Sequence, residues 1–381
     1  MFDRIQFLLS CNITIVAACA LVACGGGGGG SSPAPVAPAP TDPLGTIGTI
    51  AQEQERFFEA LALNVVSPAY ASMATSADAL KTSLMNYCAS PSAGDLAALQ
   101  SSWRDAMRDW QSATIVRFGP VEENNRRLRI QFFPDQNDAV LNNVTALLSG
   151  SQVIDEAIVA NSPVGAQGLP AIEYLLFDLG GLDDTTNGPR RCELAVSIAS
   201  NYATMATELS TAWDASGQLV ADFVNGSGVF MDRTEVLTAI LESLAQETEF
   251  VADEKVTRPQ QTGAMTTESF RSENSVDNLV ANSAAIRAFL DIGSATTDYG
   301  FRDYLRRAHD SQAIADQLDA QLGAAEAGLA ALNASLESIL LGTETGDIDT
   351  VRTSLQDLAD SFIDAAVAAD VNLGFNNQDG D

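Results

Sequence analysis

Histidine is almost absent from this chain, since His309 is the single imidazole among 381 residues. Catalytic zinc is usually held by three protein ligands, mostly histidines, with a bound water in the fourth position. A serine hydrolase likewise needs a histidine beside its nucleophile. The chain also lacks a His-Glu-x-x-His element and a Gly-x-Ser-x-Gly turn. These absences argue against a hydrolase, and no residue is assigned a catalytic role.

Positive charge is also scarce, and lysine occurs only at Lys81 and Lys255. The chain carries 50 acidic residues against 20 basic ones, which gives a formal net charge of -30. Such a charge repels the phosphates of nucleic acids and the head groups of anionic lipids. We therefore expect no nucleic-acid partner.

No stretch of the chain shows a convincing strand pattern, whereas apolar residues recur at the steps of three and four that mark one face of a helix. The chain is too long for one ordinary core. We therefore expect an all-α fold of two helical-bundle domains, residues 44–225 and 226–381, divided at Asn225-Gly226-Ser227-Gly228. The apolar stripes comprise Leu96, Leu99, Trp103, Met107 and Trp110; Leu194, Ile198, Tyr202, Met205, Leu209 and Trp213; Ile314, Leu318, Leu322, Ala325, Leu329, Leu332 and Leu336; and Val351, Leu355, Leu358 and Phe362.

The first 43 residues indicate export and anchoring. Residues 1–23 have the charged start and the short apolar stretch of a signal peptide. Leu21-Val22-Ala23-Cys24 resembles a bacterial lipobox, so we expect a lipid on Cys24 and the membrane as a partner. Gly25 is not the aspartate that often retains lipoproteins in the inner membrane, which favours the outer membrane, facing the periplasm or the exterior. Residues 24–43, rich in glycine and proline, would be a flexible tether; the alternative is an ordinary signal peptide with an incidental cysteine.

Two cysteines, Cys88 and Cys192, remain once the signal peptide is removed and Cys24 carries lipid. Two thiols in an oxidising envelope favour one disulfide. It would close a loop of about a hundred residues and contribute on the order of 4 kcal/mol in the chain-entropy model. A pair of buried free thiols is the alternative.

The segment from Gly168 to Phe177 predicts a helix with one carboxylate on it. Pro170 fits the first helical turn, where no backbone N–H is needed, and an apolar run follows. Glu173 then favours one of two interpretations. It either sits near the positive end of the helix dipole, or it is a buried carboxylate in a pocket that serves as a ligand.

This segment resembles the signature of the imelysin family, Gly-x-His-x-x-Glu followed by an apolar run. Gly168 and Glu173 match the signature, and Pro170 occupies the histidine position. The resemblance continues along the chain and implies a two-domain, all-α fold with a site where the domains meet. Further matching stretches are the tryptophan helix with its Phe-Gly-Pro end at 103–120, a loop at 255–263, an Arg-Ser-x-x-Ser segment at 268–275 and the C-terminal tail at 373–381.

The candidate site combines the signature with the second-domain segment. Glu173 is the candidate metal ligand, and an arginine with two hydroxyls could orient a carboxylate, a phosphate or a metal chelate. The alternative is that Arg271 pairs with Glu173 or a neighbouring carboxylate and holds the domains together. The candidate ligand-binding residues are Glu173, Gly168, Arg271, Ser272, Ser275 and Arg117.

The function that these expectations support is ligand or metal binding, without catalysis, by a cell-envelope lipoprotein. The resemblance implies a link to iron uptake, with iron-uptake components as partners and iron or another divalent cation as the bound species. One alternative is a metallopeptidase of the imelysin type, built from carboxylates and His309. A second alternative is a surface interaction protein in which the signature is purely structural.

Overall fold

A computed structural model describes residues 44–178, 181–182, 188–292 and 299–373. The signal peptide, Cys24 and the tether lie outside the described residues, and so does the tail from Gly374 onward. No helix in the described ranges is long and apolar enough to cross a membrane. These ranges form helices and turns without any strand, which confirms the predicted all-α class.

Sixteen α-helices run through the described ranges. The first eight are α1 Ile50–Leu61, α2 Ser67–Ala89, α3 Ala93–Ala113, α4 Arg126–Ile130, α5 Ala139–Ser149, α6 Glu156–Ala160, α7 Gly168–Phe177 and α8 Gly188–Ala212. The remaining eight are α9 Gln218–Asn225, α10 Arg233–Phe250, α11 Arg258–Thr262, α12 Ser275–Leu290, α13 Phe301–His309, α14 Gln312–Ala331, α15 Leu336–Leu340 and α16 Ile348–Ala368. Two π-helical turns, Ala62–Val66 and Val251–Thr257, join α1 to α2 and α10 to α11.

Short polar side chains start several of these helices. The capping box of α1 pairs Thr49 with Gln52, each satisfying a backbone N–H of the other. Asp232 accepts a hydrogen bond from the N–H of Glu235 at 2.9 Å and so begins α10. Helix α9 ends at Gly226, whose φ of 60° is the left-handed conformation that glycine adopts without strain. These local signals fix where the chain turns back on itself.

The main apolar core draws on helices from both halves of the sequence. It contains Phe57 of α1, Trp103 of α3, Ile172 of α7, Phe289 of α12 and Phe362 of α16. A smaller core lies among the second π-helical turn, α12, α14, α15 and α16. All the helices belong to one compact unit, Asp42–Asp381, and the division at residue 226 stays a prediction. The four predicted stripes lie almost entirely in these cores. The stripe from Ile314 to Leu336 was predicted as one helix face, but α14 ends at Ala331 and Leu336 begins α15.

The predicted disulfide is present. Cys88 at the end of α2 is bonded to Cys192 near the start of α8, with Cα atoms 5.7 Å apart. The same two helices pack along their lengths, so the bond joins elements that are already neighbours. The structure therefore confirms the disulfide and excludes the free-thiol alternative.

Candidate functional site

The start of α7 is packed against the backbone of α4. Gly168 has a φ of +68°, and a Cβ atom there would lie 2.1 Å from the carbonyl oxygen of Ile130. The indole N–H of Trp103 donates to the carbonyl oxygen of Leu169 at 3.0 Å and fixes the same turn. Gly168 is therefore needed for close backbone approach, and it does not line the cavity described below.

Glu173 lies in the second turn of α7, so the dipole interpretation does not account for it. Its side chain is buried, and Oε1 accepts hydrogen bonds from the backbone N–H and the hydroxyl of Ser272, at 2.9 and 2.8 Å. Burial raises the pKa of Glu173 to about 7, while the two bonds from Ser272 and the charge of Arg271 limit the shift. The structure thus brings Glu173 and Ser272 together across 99 positions of sequence.

A cavity of about 170 Å³, here called the Glu173 cavity, opens beside this carboxylate. Pro170, in the position of the signature histidine, also lines it. Aromatic rings form much of the remaining wall, so the carboxylates face a mixed polar and apolar space. The charged and aromatic residues of its wall are Asp135, Asp138, Glu173, Glu268, Arg258, Arg271, Phe132, Phe133 and Phe270.

Arg271 is not paired with Glu173. Its Nε donates to Oδ2 of Asp178 at 2.9 Å, and its guanidinium lies 4.3 Å from the ring centroid of Phe270 and 5.2 Å from that of Tyr174. The alternative in which Arg271 pairs with a neighbouring carboxylate is therefore the arrangement found. Arg271 lines the cavity, and its charge is neutralised by Asp178, which does not line the cavity.

Ser275 donates a hydrogen bond to a second buried carboxylate, that of Glu337, and not to Glu173. Its hydroxyl donates to Oε2 of Glu337 at 2.8 Å, and the hydroxyl of Thr267 donates to Oε1 at 2.6 Å. Burial raises the pKa of Glu337, and these hydroxyl bonds oppose the rise. Glu337 does not line the Glu173 cavity. Glu173 thus accepts from the hydroxyl of Ser272, whereas Glu337 accepts from those of Thr267 and Ser275.

A buried ion pair that includes the wall residue Glu268 was not anticipated from the sequence. Lys255 and Glu268 are both 2% exposed, and Nζ lies 2.9 Å from Oε1. Nζ also donates to the side-chain oxygens of Gln111 and Asn282, at 2.7 and 2.8 Å. Gln131 donates to the same Oε1 at 2.7 Å. The rarity of lysine in the chain was the signal that could have marked Lys255.

Arg117 belongs to a different cluster. Arg117 and Arg127 both donate to Oε2 of Glu247, at 3.0 and 3.2 Å. Burial lowers the pKa of the Arg117 guanidinium, and the charge of Glu247 opposes that change. This cluster lines a smaller cavity of about 90 Å³, which shares Gln131 and Phe133 with the Glu173 cavity. Arg117 therefore does not reach Glu173.

His309 lies away from both cavities. Its Nε2 is 2.9 Å from the hydroxyl of Tyr304, and its Nδ1 is 3.7 Å from a carboxylate oxygen of Asp370. Burial lowers the pKa of His309, against the opposing charge of Asp370.

The side chains that line the Glu173 cavity offer mainly oxygen ligands, and Met265 is the sulfur-containing side chain among them. Across the described ranges, no three side chains of histidine, cysteine, aspartate or glutamate are grouped so as to hold a metal ion. A metal in the Glu173 cavity would combine Glu173 with other oxygen donors. Carboxylate, hydroxyl and carbonyl oxygens suit hard cations, whereas zinc sites favour nitrogen and sulfur.

Comparison with known proteins agrees with this architecture. Residues 66–364 match the peptidase family model described as Imelysin. Iron-regulated protein A of Synechococcus elongatus is 27% identical over 289 residues, which cover 72% of this chain and 75% of that protein. A crystal structure of an imelysin-like protein from Psychrobacter arcticum aligns with a TM-score of 0.70 at 21% identity, covering 87% of this chain and 99% of that one. The likeness to that structure confirms the imelysin-like fold.

Proposed function

Because this chain belongs to the imelysin family, we propose that it is a cell-envelope protein that binds a small cation in the Glu173 cavity and does not catalyse a reaction. The cation would be a metal ion that accepts oxygen ligands, and iron is the first to test. Lipidation at Cys24 would hold the protein at the outer membrane, where components of iron uptake would be its partners. The name of the relative from Synechococcus elongatus, iron-regulated protein A, supports the link to iron.

The charge of the cavity wall carries the proposal. Within the described ranges, Asp135, Asp138 and Glu173 form no ion pair, although all three line the cavity. The two arginines of the wall are each paired with an acid outside it, Arg271 with Asp178 and Arg258 with Glu254. The wall therefore has an excess of negative charge, which a bound cation would neutralise.

Hydrogen bonding leaves Glu173 able to bind such a cation. Both hydrogen bonds from Ser272 fall on Oε1, and the residue borders the cavity. A cation would also replace the proton that a carboxylate with a pKa of about 7 retains near neutral pH. Binding should therefore release protons, as it does wherever a ligand must be deprotonated.

The test is titration calorimetry, which measures the affinity of the mature chain for ferrous iron and for zinc. The titrations with ferrous iron are carried out without oxygen. We expect Glu173→Gln to weaken iron binding by about tenfold or more, since a carboxylate ligand is lost. Glu337→Gln is the matched control, because Glu337 is a buried carboxylate with two hydroxyl donors that does not line the cavity. It should bind iron as the wild type does.

Proton release gives a second measurement on the same samples. Heats recorded in buffers of different ionisation enthalpy should show protons released by the wild type near pH 7, and fewer by Glu173→Gln. Equal iron binding by the wild type and Glu173→Gln, or binding by neither, would contradict the proposal. Either result would favour the alternative of a surface interaction protein, in which the signature has a purely structural role.

The metallopeptidase alternative requires His309 in the site. His309 contacts Tyr304 and Asp370 and lines neither cavity, so the geometry gives it no part in binding at Glu173. We expect His309→Ala to leave cation binding unchanged. Hydrolysis of an unfolded protein substrate that a chelator and His309→Ala both abolish would instead favour the peptidase.

A further inference from the structure

The smaller cavity has its own charge and its own opening. It is about 90 Å³ in volume, which exceeds the roughly 30 Å³ that one water molecule occupies in the liquid. The side chains of Arg117 and Arg127 are 18% and 17% exposed, so solvent reaches the cavity past them. It is here called the Arg117 cavity, and its polar wall consists of Arg117, Arg127, Thr114, Gln131, Glu247 and Lys255.

Positive charge exceeds negative charge in this wall. Arg117 and Arg127 share a single carboxylate oxygen, Oε2 of Glu247. The charge of Lys255 is matched by Glu268. The further acidic partner of Arg127 is the half-exposed Glu122, 3.5 Å from its Nε, and Arg127 also donates to the carbonyl oxygen of Thr114 at 2.8 Å. Within the wall itself, three cationic side chains face the single carboxylate of Glu247, which favours an anion.

The other oxygen of Glu247 restricts which anion can fit. Glu247 is 1% exposed, and its Oε1 is buried without a hydrogen-bond partner in the described part of the chain. Buried polar atoms without a hydrogen-bond partner are rare in folded proteins. We therefore infer that a bound ligand donates a hydrogen bond to Oε1. A ligand here must accept hydrogen bonds from guanidinium groups and also donate one to a carboxylate.

We propose that the Arg117 cavity binds a small oxyanion that carries a proton, of the hydrogen phosphate type. Its oxygens accept from Arg117 and Arg127, and its O–H donates to Oε1 of Glu247. A fully deprotonated oxyanion such as sulfate would place a charged oxygen against that carboxylate, which is repulsive. The donor requirement therefore gives selectivity that two arginines alone would not provide.

The experiment compares inorganic phosphate with sulfate on the mature chain by calorimetry at constant ionic strength. We expect the wild type to prefer phosphate by about tenfold or more, which is the size of one good charge-assisted hydrogen bond. Glu247→Gln should abolish the preference and improve sulfate binding, because its amide group can donate. Arg117→Gln should lose affinity for both anions.

Arg258→Gln is the control, because Arg258 lines the Glu173 cavity and does not line the Arg117 cavity. It should retain the phosphate preference, and so should Glu173→Gln, which separates this test from that of cation binding. Circular dichroism and melting would confirm that each variant is folded. Equal affinity of the wild type for both anions, no binding of either at about 10 mM, or an unchanged preference in Glu247→Gln would overturn the proposal.

Discussion

At the scale of single residues, Gly168 owes its identity to backbone geometry. An added Cβ would meet the carbonyl oxygens of Ile130 at 2.1 Å and Arg129 at 2.4 Å, and backbone atoms cannot turn aside as a flexible side chain can. We expect Gly168→Ala to lower the free energy of unfolding by roughly 3 kcal/mol or more. Urea-induced unfolding followed by circular dichroism would measure it.

Gly342 provides a matched control for this substitution. Its φ of +71° is close to the +68° of Gly168, but a Cβ there would have nothing within 4 Å. Gly342→Ala therefore reports the strain of the left-handed conformation alone, about 1 kcal/mol. Equal losses in the two variants would show that close approach at Gly168 is unimportant.

Glu173 makes stability depend on pH. Because its folded-state pKa is raised from 4.5 to about 7, its protonated form stabilises the fold below pH 4.5, and that contribution is lost as the pH rises through 7. Such a shift corresponds to roughly 3 kcal/mol. Glu173→Gln keeps an oxygen for Ser272 and removes the titration. It should therefore be more stable than the wild type at about pH 8 and similar to it at about pH 4.

Urea midpoints of both proteins across this range would measure the effect. Glu337→Gln is an informative comparison, because burial raises the pKa of Glu337 as well. The stability that protonated Glu337 contributes to the wild type should therefore also be lost as the pH rises. A difference between wild type and Glu173→Gln that stays constant with pH would show that the pKa of Glu173 is the same in the folded and unfolded states.

At the scale of elements, apolar spacing was sufficient to predict much of the helical fold. Leu99, Trp103, Met107 and Trp110 were predicted as one face of a helix, and α3 buries all four. Spacing shows which face of a helix is apolar, but not which other helix will cover that face. The sequence left two interpretations of Glu173 open, and the family resemblance pointed to the segment at 268–275. Neither identified the hydrogen-bond partners that these side chains have in the structure.

The polar network shows why the partners escaped prediction. Glu268 lies between helices, where no periodicity applies, and Lys255 lies in a π-helical turn that shifts the register of α10. Gln111 of α3 contacts Lys255 across 144 positions of sequence. Contacts of this kind depend on tertiary packing, and no local pattern in one sequence encodes them.

The Lys255–Glu268 pair supports a prediction about the π-helical turn. Removing one member leaves the other as an uncompensated buried charge, which typically costs about 3–5 kcal/mol. We expect Lys255→Met and Glu268→Gln each to be destabilised by that amount. The double variant should lose less free energy of unfolding than the two single variants lose together, and the difference, the coupling energy, should be roughly 2–3 kcal/mol. Unfolding of all four proteins in urea would close the cycle, and strictly additive losses would contradict a direct pair.

At the scale of the whole molecule, the helical spacing of apolar residues indicated an all-α fold, and the family resemblance added the imelysin-like architecture that the structure confirms. The proposed division at Gly226 rested on a glycine-rich loop and on chain length. The structure gives that glycine a local role, because a Cβ there would lie 2.3 Å from the backbone nitrogen of Arg233. The main core nevertheless joins residues such as Phe58 and Phe289 from the two sides of this loop.

The Cys88–Cys192 bond restrains this assembly across 104 positions of sequence. Closing a loop of that length in the unfolded chain contributes about 4–5 kcal/mol in the chain-entropy model, and strain or residual structure can reduce it. We expect the free energy of unfolding to fall by several kcal/mol when both cysteines are replaced by alanine. Because either cysteine alone forms no bond, Cys88→Ala and Cys192→Ala should each lose nearly as much as the double variant. A reductant should lower the stability of the wild type and leave the double variant unchanged, and a wild type indifferent to reductant would contradict a stabilising disulfide.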